Sequence, residues 1–77
     1  MAGKPIPEDS FLHQMDYLGF IHGDQRWRSE DGKRLFTWDS LHGEVEVFNG
    51  RGKHLFVADA VSGRLIGKAV RGRKIDV

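Results

Sequence analysis

Short strand-like segments, separated by very short turns, make up most of the sequence after residue 33. The segments are rich in β-branched and aromatic residues, and glycine recurs in the connections, as in β-hairpins. We predict strands at residues 34–38, 44–48, 54–58 and 64–68, with a short edge strand at 73–77. Connections this short join antiparallel neighbours, because a parallel return needs a longer crossover. The expected fold is therefore mainly β (α+β), a highly twisted antiparallel meander sheet of four to five strands.

The segment before the predicted sheet has a helical pattern of apolar residues. Within residues 8–18, these residues recur at spacings of three and four: Phe11, Leu12, Met15 and Leu18. Pro7 suits the first turn of a helix, and Gly19 suits its end. We therefore predict one N-terminal helix at residues 8–18, packed on the sheet.

A polar stretch at residues 23–32 is predicted to form a loop leading into the sheet. Trp27 interrupts this stretch. We interpret Trp27 as a plug over the core, and the alternative is a platform on which a nucleic-acid base stacks.

Size and composition exclude several classes of protein. A chain of 77 residues suits one small domain. The sequence has no cysteine, which excludes disulfides, thiolate zinc sites and cysteine nucleophiles. No apolar run approaches the roughly 20 residues that a membrane-spanning helix requires, so we expect no membrane partner.

The charges are unevenly distributed although the net charge is only +1. Residues 64–74 contain five cations and no acid, whereas residues 7–24 contain four acids and no lysine or arginine. A basic tail opposite an acidic head would place a polyanion at one end of the fold. The alternative is a charged tail that is merely solvated.

The densest group of titratable side chains lies in residues 38–46. Asp39 and His42 fall in the connection between two predicted strands. Glu44 and Glu46 are two residues apart on the next strand, so both project from one face while the intervening valine points to the core. An imidazole and several carboxylates are therefore expected on one patch.

Such a patch has the groups that cleave RNA without a metal. The 2′-hydroxyl must lose a proton as it attacks the phosphate, and the 5′-oxygen must gain one as it leaves; a carboxylate and an imidazolium can perform these steps. A guanidinium would stabilise the phosphoryl oxygens, and Arg71 and Arg73 are available in the basic tail.

Other interpretations of the same residues remain open. Acids that alternate along a strand often form its solvated face, and a histidine in a turn is often only exposed. A metal site at His42, Glu44 and Glu46 is weaker, because hard ions prefer more oxygens and zinc more nitrogens. The other three histidines are scattered and form no ligand pattern: His13, His22 and His54.

The central part of the sequence contains the motif Trp38-Asp39-Ser40-Leu41-His42-Gly43-Glu44-Val45-Glu46. It is flanked by Arg26-Trp27, Asp31-Gly32, Gly52-Lys53-His54-Leu55 and Ser62-Gly63. In these segments, between about residues 26 and 75, the sequence resembles the cytotoxic domain of ribosome-cleaving colicins and cloacin. The resemblance implies a metal-independent endoribonuclease that cuts small-subunit ribosomal RNA at the decoding site and blocks translation.

Catalytic roles follow from the resemblance by motif position. Glu46 would be the general base, His42 the general acid and Asp39 the support of the histidine, with Glu44 as a secondary carboxylate. The sequence Arg73-Lys74-Ile75 fits the arginine near the end of the family domain, and Arg71 stays open as the alternative. We expect four cations to contact RNA: Lys33, Arg34, Lys53 and Lys74. No cofactor and no metal are expected.

Chain length, the helical pattern and the resemblance together predict a domain organisation, and the resemblance implies partners. Residues 1–77 would form one ribonuclease toxin domain, with 1–23 as an N-terminal helical segment and 26–77 as the catalytic sheet. The substrate would be the ribosome, the site of action the bacterial cytoplasm, and the inhibitor an acidic immunity protein or antitoxin. The chain would be either the tip of a larger secreted toxin or a free-standing toxin. The rival functions are a non-catalytic RNA- or partner-binding module on the same fold and, more distantly, a small metal-binding protein.

Overall fold

A computed structural model describes residues 3–77 and shows one antiparallel sheet whose six strands follow chain order. The strands are β1 (Asp16–Ile21), β2 (Asp24–Arg28), β3 (Arg34–Asp39), β4 (Glu44–Asn49), β5 (His54–Ala58) and β6 (Leu65–Lys68). The predicted mainly β meander is confirmed, with β3 to β6 close to the predicted positions. The first two residues of the predicted N-terminal segment lie outside the described residues.

The predicted helix at residues 8–18 is wrong. Residues 3–77 contain one helical element, the 3-10 turn Phe11–Gln14. Ser10 caps this turn, and its hydroxyl accepts a hydrogen bond from the Leu12 N–H at 3.2 Å. No helix in this part of the chain is long and apolar enough to cross a membrane. Leu12 is fully buried, and the ring of Phe11 meets that of Phe36 edge-on at 5.5 Å. The apolar residues therefore bury themselves without a continuous helix.

The prediction of a loop at residues 23–32 is wrong for Asp24–Arg28, which form β2 and pair with β1 and β3, whereas residues 29–32 do lie in the turn that leads to β3. Trp27 provides the only large apolar side chain of this strand, which is too weak a signal for an alternating pattern. The prediction for Trp27 itself is confirmed, since it is 5% exposed and lies in the hydrophobic core.

The predicted edge strand at residues 73–77 is wrong as well. Instead of a strand, the segment forms one isolated β-bridge, between Lys74 and Lys53. Two further contacts hold the segment: the Ile75 N–H donates to the Gly52 carbonyl at 2.9 Å, and Arg26 donates to the Asp76 carbonyl at 2.6 Å. The C-terminal segment is thus fixed without forming a strand.

Alternation along β3 and β4 separates two faces of the sheet. One face builds the core, with Leu12, Trp27, Phe36, Val45, Val47 and Ala58. Thr37 lies opposite Glu46, and Asp39 lies opposite Glu44. These four residues occupy the other face, because successive side chains of a strand point to opposite sides.

Candidate active site

Glu46 lies at the centre of the face opposite the core. Its neighbours Val45 and Val47 are 0% and 1% exposed, so their burial directs Glu46 to the other side of β4. The carboxylate is itself buried, and its Oε1 accepts a hydrogen bond from Arg73 Nη1. Burial of a carboxylate is tolerated here because it is paired with a guanidinium.

Arg73 reaches Glu46 from the C-terminal segment. Its N–H donates to the Val70 carbonyl and its carbonyl accepts the His54 N–H, both at 3.1 Å. Arg71 instead lines a neighbouring groove together with Arg51 and Lys53. Of the two arginines left open by the sequence, the structure brings Arg73 to Glu46.

His54 is a third group beside Glu46, and the sequence analysis missed it. The side chain is fully buried, its Nδ1 accepts the Val70 N–H at 2.9 Å, and its ring packs on Phe48. Its Nε2 lies 3.2 Å from Glu46 Oε1, although the geometry at Nε2 gives it no hydrogen-bond partner among residues 3–77. Burial lowers the pKa of His54 and outweighs the opposing charge of Glu46. His54 is therefore a neutral imidazole whose proton is on Nε2.

Asp39 and His42 form a second pair at the end of β3. Asp39 Oδ1 accepts the backbone N–H groups of Leu41 and His42, which closes the turn between β3 and β4. Its Oδ2 lies 2.8 Å from Nδ1 of His42. The turn thus orients the imidazole, whose side chain stays 64% exposed.

The pKa values of this pair move in opposite directions. The hydrogen bond and charge of Asp39 raise the pKa of His42, and Glu44 adds to the effect. Partial burial acts to raise the pKa of Asp39, but its hydrogen bonds from His42 and Leu41 outweigh burial and hold the pKa below its usual value. The pair therefore favours an imidazolium next to a carboxylate.

Glu44 completes a small cluster with this pair. Ligand-type atoms of Asp39, His42 and Glu44 all lie within 4.8 Å of one another. The sequence alternative of a metal site included Glu46, which this cluster does not contain. Nδ1 of His42 is also engaged with Asp39, so the cluster offers fewer nitrogens than zinc prefers and fewer oxygens than calcium prefers. In this structure the carboxylate of Asp39 is engaged with the His42 ring.

An open cleft of about 390 Å³ joins the two pairs. Asp39, Glu46 and Arg73 line it, and His42 lies on the adjoining turn. Asp39 and Glu46 are diagonal neighbours across β3 and β4, which places such residues about 7–8 Å apart. The cleft therefore combines carboxylates with a guanidinium, and Asp39 connects it to the imidazole of His42.

The four predicted RNA-contacting cations fall into two groups. Lys74 lines the cleft, and Lys53 is bridged to it. Arg34 is five residues from Asp39 along β3, about 17 Å at roughly 3.4 Å per residue. Its guanidinium lies over the Phe56 ring on the core side of the sheet, and Lys33 adjoins it in sequence. The structure thus does not bring Lys33 and Arg34 to the cleft.

Comparison with known proteins identifies one related family. A protein-family model described as Cytotoxic matches residues 21–76. The matched region contains β2 to β6 and every residue that lines the cleft. A search of curated proteins found no match. The N-terminal segment, including most of β1, lies outside the matched region.

Proposed function

The chain belongs to the Cytotoxic family, a family of toxins, and on this premise we propose that it is a metal-independent endoribonuclease that cleaves small-subunit ribosomal RNA. The observation that carries the proposal is the cleft in which Glu46 contacts Arg73 while Asp39 holds His42 at the rim. These groups match the base, phosphate-binding cation and acid of a reaction in which RNA attacks its own phosphodiester.

Glu46 is the proposed general base. Its contacts with Arg73 and His54 converge on Oε1. Oε2 is neither hydrogen-bonded to residues 3–77 nor shut away from solvent. That oxygen can accept the proton of the 2′-hydroxyl while Oε1 holds the carboxylate in place.

Arg73 is the proposed phosphate-binding group. A guanidinium has five N–H donors, and Glu46 engages Nη1. The side chain is about half exposed, at 47%, so its remaining donors can reach a phosphoryl oxygen in the cleft. A fixed cation at this point stabilises the charge that develops in the transition state.

His42 is the proposed general acid. Asp39 engages Nδ1 and raises the pKa of His42, so this exposed side chain keeps a proton that Nε2 can donate up to a higher pH than an ordinary histidine would. Transfer of that proton to the 5′-oxygen completes the cleavage. The products are a 2′,3′-cyclic phosphate on one fragment and a 5′-hydroxyl on the other.

The choice of ribosomal RNA rests on the family rather than on the geometry. We propose the decoding site as the target, the bacterial cytoplasm as the place of action, and an acidic immunity protein or antitoxin as the inhibitor. The cations around the cleft support both an RNA substrate and an acidic inhibitor, since both carry negative charge.

The test is incubation of purified ribosomes with the protein in the presence of EDTA. We expect one cut in the small-subunit RNA, with a cyclic phosphate and a 5′-hydroxyl at its ends. Glu46→Gln and His42→Ala should each slow the cut by about 10²–10⁴-fold, the usual contribution of an acid or base. Glu30→Gln is the matched control, because Glu30 is an exposed carboxylate in the β2–β3 turn. This variant should cleave normally.

Two outcomes would contradict the proposal. Ribosome binding without any cut would favour the non-catalytic module on the same fold. Cleavage that EDTA abolishes would favour metal-dependent chemistry.

A further inference from the structure

A second cleft, of about 440 Å³, lies beside the catalytic cleft. The residues that matter for its chemistry are Lys4, Phe20, Asp24, Gln25, Trp38 and Ser40. Three of them, Asp24, Trp38 and Ser40, also line the catalytic cleft. The two clefts therefore share a boundary and form one continuous groove.

The groove exists because β2 and β3 diverge at this end of the sheet. Their ladder ends at the pair formed by Arg26 and Thr37. Asp24 and Gln25 precede that pair on β2, whereas Trp38 and Asp39 follow it on β3, and no ladder pair joins them. The opening between the strands connects the Glu46 side of the sheet to the side on which Phe20 lies.

Phe20 is an aromatic residue that the fold does not bury. It lies on the edge strand β1, pairs with Gln25 and is 71% exposed. Phe20 lies at a groove that leads to Glu46, so its exposed ring can stack a base of RNA bound there, because unstacked RNA bases bind on aromatic side chains.

We propose that the second cleft is a nucleobase subsite that stacks one base of single-stranded RNA on Phe20, next to the nucleotide being cleaved. The proposal rests on the proposed ribonuclease function. Phe20 on β1 is three strand positions from Glu46 on β4, which separates their backbones by about 14 Å within the sheet at roughly 4.8 Å per strand, and their side chains lie on opposite sides of it. The subsite therefore takes a flanking base rather than the base at the scissile bond.

The polar groups of the cleft suit the edge of a base and its phosphate. Gln25 offers an amide, Asp24 a carboxylate and Lys4 an ammonium group. The wall that carries Lys4 is fixed, because its N–H donates to the Ser40 carbonyl at 2.8 Å and its own carbonyl accepts the Trp38 indole N–H at 3.1 Å. Lys4 and Phe20 precede residue 21, so the family model does not include them.

The experiment measures binding of a single-stranded RNA oligonucleotide that carries a 2′-O-methyl group at the attacking position and cannot be cleaved. Wild type is compared with Phe20→Ala, Phe20→Tyr and Leu65→Ala by fluorescence anisotropy. Leu65 is a matched control, because it is 62% exposed on the opposite edge strand β6. The oligonucleotide is also tested with an abasic nucleotide at each position in turn.

We expect Phe20→Ala to weaken binding by about 5–150-fold, the range that loss of one stacked base gives. Phe20→Tyr should stay within about 2-fold of wild type because it keeps the ring, and Leu65→Ala should bind normally. One abasic position should weaken wild-type binding to the same extent and weaken Phe20→Ala binding no further, since both changes remove the same contact.

The outcomes separate this subsite from the catalytic function. If wild type cleaves RNA and Phe20→Ala binds every oligonucleotide as tightly as wild type does, the subsite is overturned and the ribonuclease function is not. Coupling between Phe20 and one base, in a protein that never cuts RNA, would support the subsite and overturn the ribonuclease. Normal RNA binding by Phe20→Ala, together with altered self-association in sedimentation, would overturn the subsite and assign Phe20 to a contact between copies of the chain.

Discussion

Asp39 and Glu46 lie on the same face of the sheet, but their partners give them different roles. Both oxygens of Asp39 are engaged, Oδ1 with two backbone N–H groups and Oδ2 with His42. Glu46 uses Oε1 for Arg73 and His54. Asp39 is therefore suited to hold another side chain, whereas Glu46 keeps an oxygen for a substrate proton.

Asp39→Asn tests the first of these roles through the pH dependence of cleavage. Asparagine keeps an oxygen for the two backbone N–H groups but removes the charge that raises the pKa of His42. The acid must be protonated to act, so the alkaline limb of kcat/KM should move to lower pH, with a larger rate loss at pH 8 than at pH 6.

The control for this prediction is Asp59→Asn. Asp59 closes its own turn in the same way, by accepting the N–H groups two and three residues ahead, but it has no histidine partner. Its variant should keep the wild-type pH profile. An unchanged alkaline limb in Asp39→Asn would show that Asp39 does not set the protonation of His42.

His54→Asn gives a prediction about stability. Burial lowers the pKa of His54 in the folded protein, while the unfolded chain has the ordinary value of about 6.5. The unfolded state then binds more protons, so the free energy of unfolding of wild type falls as the pH drops below about 6.5. Asparagine cannot titrate, and its carbonyl can still accept the Val70 N–H.

Urea unfolding from pH 5 to pH 8 checks this prediction. The smaller side chain should cost about 1–3 kcal/mol at pH 8, since it leaves space beside Phe48. The difference between wild type and His54→Asn should then shrink toward pH 5. A constant difference across this range would mean that His54 does not stay neutral in the folded protein.

The strands show which elements the sequence could predict and which it could not. Strands β3 to β6 have regular alternation and glycine turns, and these signals located them. Residues 8–18 have helical spacing, yet Leu12 is buried by a single turn and the chain enters β1 at Asp16. Packing under the sheet overrode the local pattern, as tertiary contacts commonly do.

The candidate site shows the same limit at a β-bulge. Alternation predicted that Glu44 and Glu46 share a face, and the structure has them so. Continued alternation along β5 would place His54 with Phe56 on the core face, but the register shifts so that Phe48 pairs with His54. One extra residue in a strand reverses the direction of the side chains beyond it. Sequence alone therefore left His54 as an isolated histidine.

Gly52 is the residue on which the position of the C-terminal segment depends. Its φ is +86°, and a Cβ there would lie 2.1 Å from the Ile75 carbonyl oxygen. We expect Gly52→Ala to displace the segment that carries Arg73, to lower the unfolding free energy by about 2–3 kcal/mol and to reduce kcat. Thermal unfolding and ribosome cleavage measure the two effects.

Gly32→Ala separates displacement from backbone strain. Gly32 also has a positive φ, +75°, but a Cβ there would meet nothing within 4 Å. The free energy of unfolding of its variant should fall by about 1 kcal/mol, because alanine is strained at a positive φ. The variant should keep full activity. Equal activity of the two variants would show that Gly52 does not position Arg73 through the C-terminal segment.

The molecule as a whole carries almost no net charge, so its attraction to RNA depends on where the cations lie. The groove that Arg71 lines, which is distinct from the groove that leads to Phe20, gathers Arg51, Lys53, Arg71, Arg73 and Lys74. Lys33 and Arg34 are at the other end of β3 from Asp39. A net charge of +1 gives little long-range steering, and phosphate contacts in the groove should supply most of the salt-dependent affinity.

The salt dependence of binding can show which cations contact phosphates. Each lysine or arginine that neutralises a phosphate of single-stranded RNA contributes about 0.7 to the slope of log K against log salt concentration, because it releases a condensed counterion. Lys53→Gln and Arg71→Gln should therefore each reduce the slope by about 0.7 for the non-cleavable oligonucleotide. Lys33→Gln removes the same charge from the far end of β3 and should leave the slope unchanged, since net charge alone releases no counterions. An equal reduction of the slope in all three variants would mean that RNA covers both ends of β3. The cleft would then not define the path of the RNA.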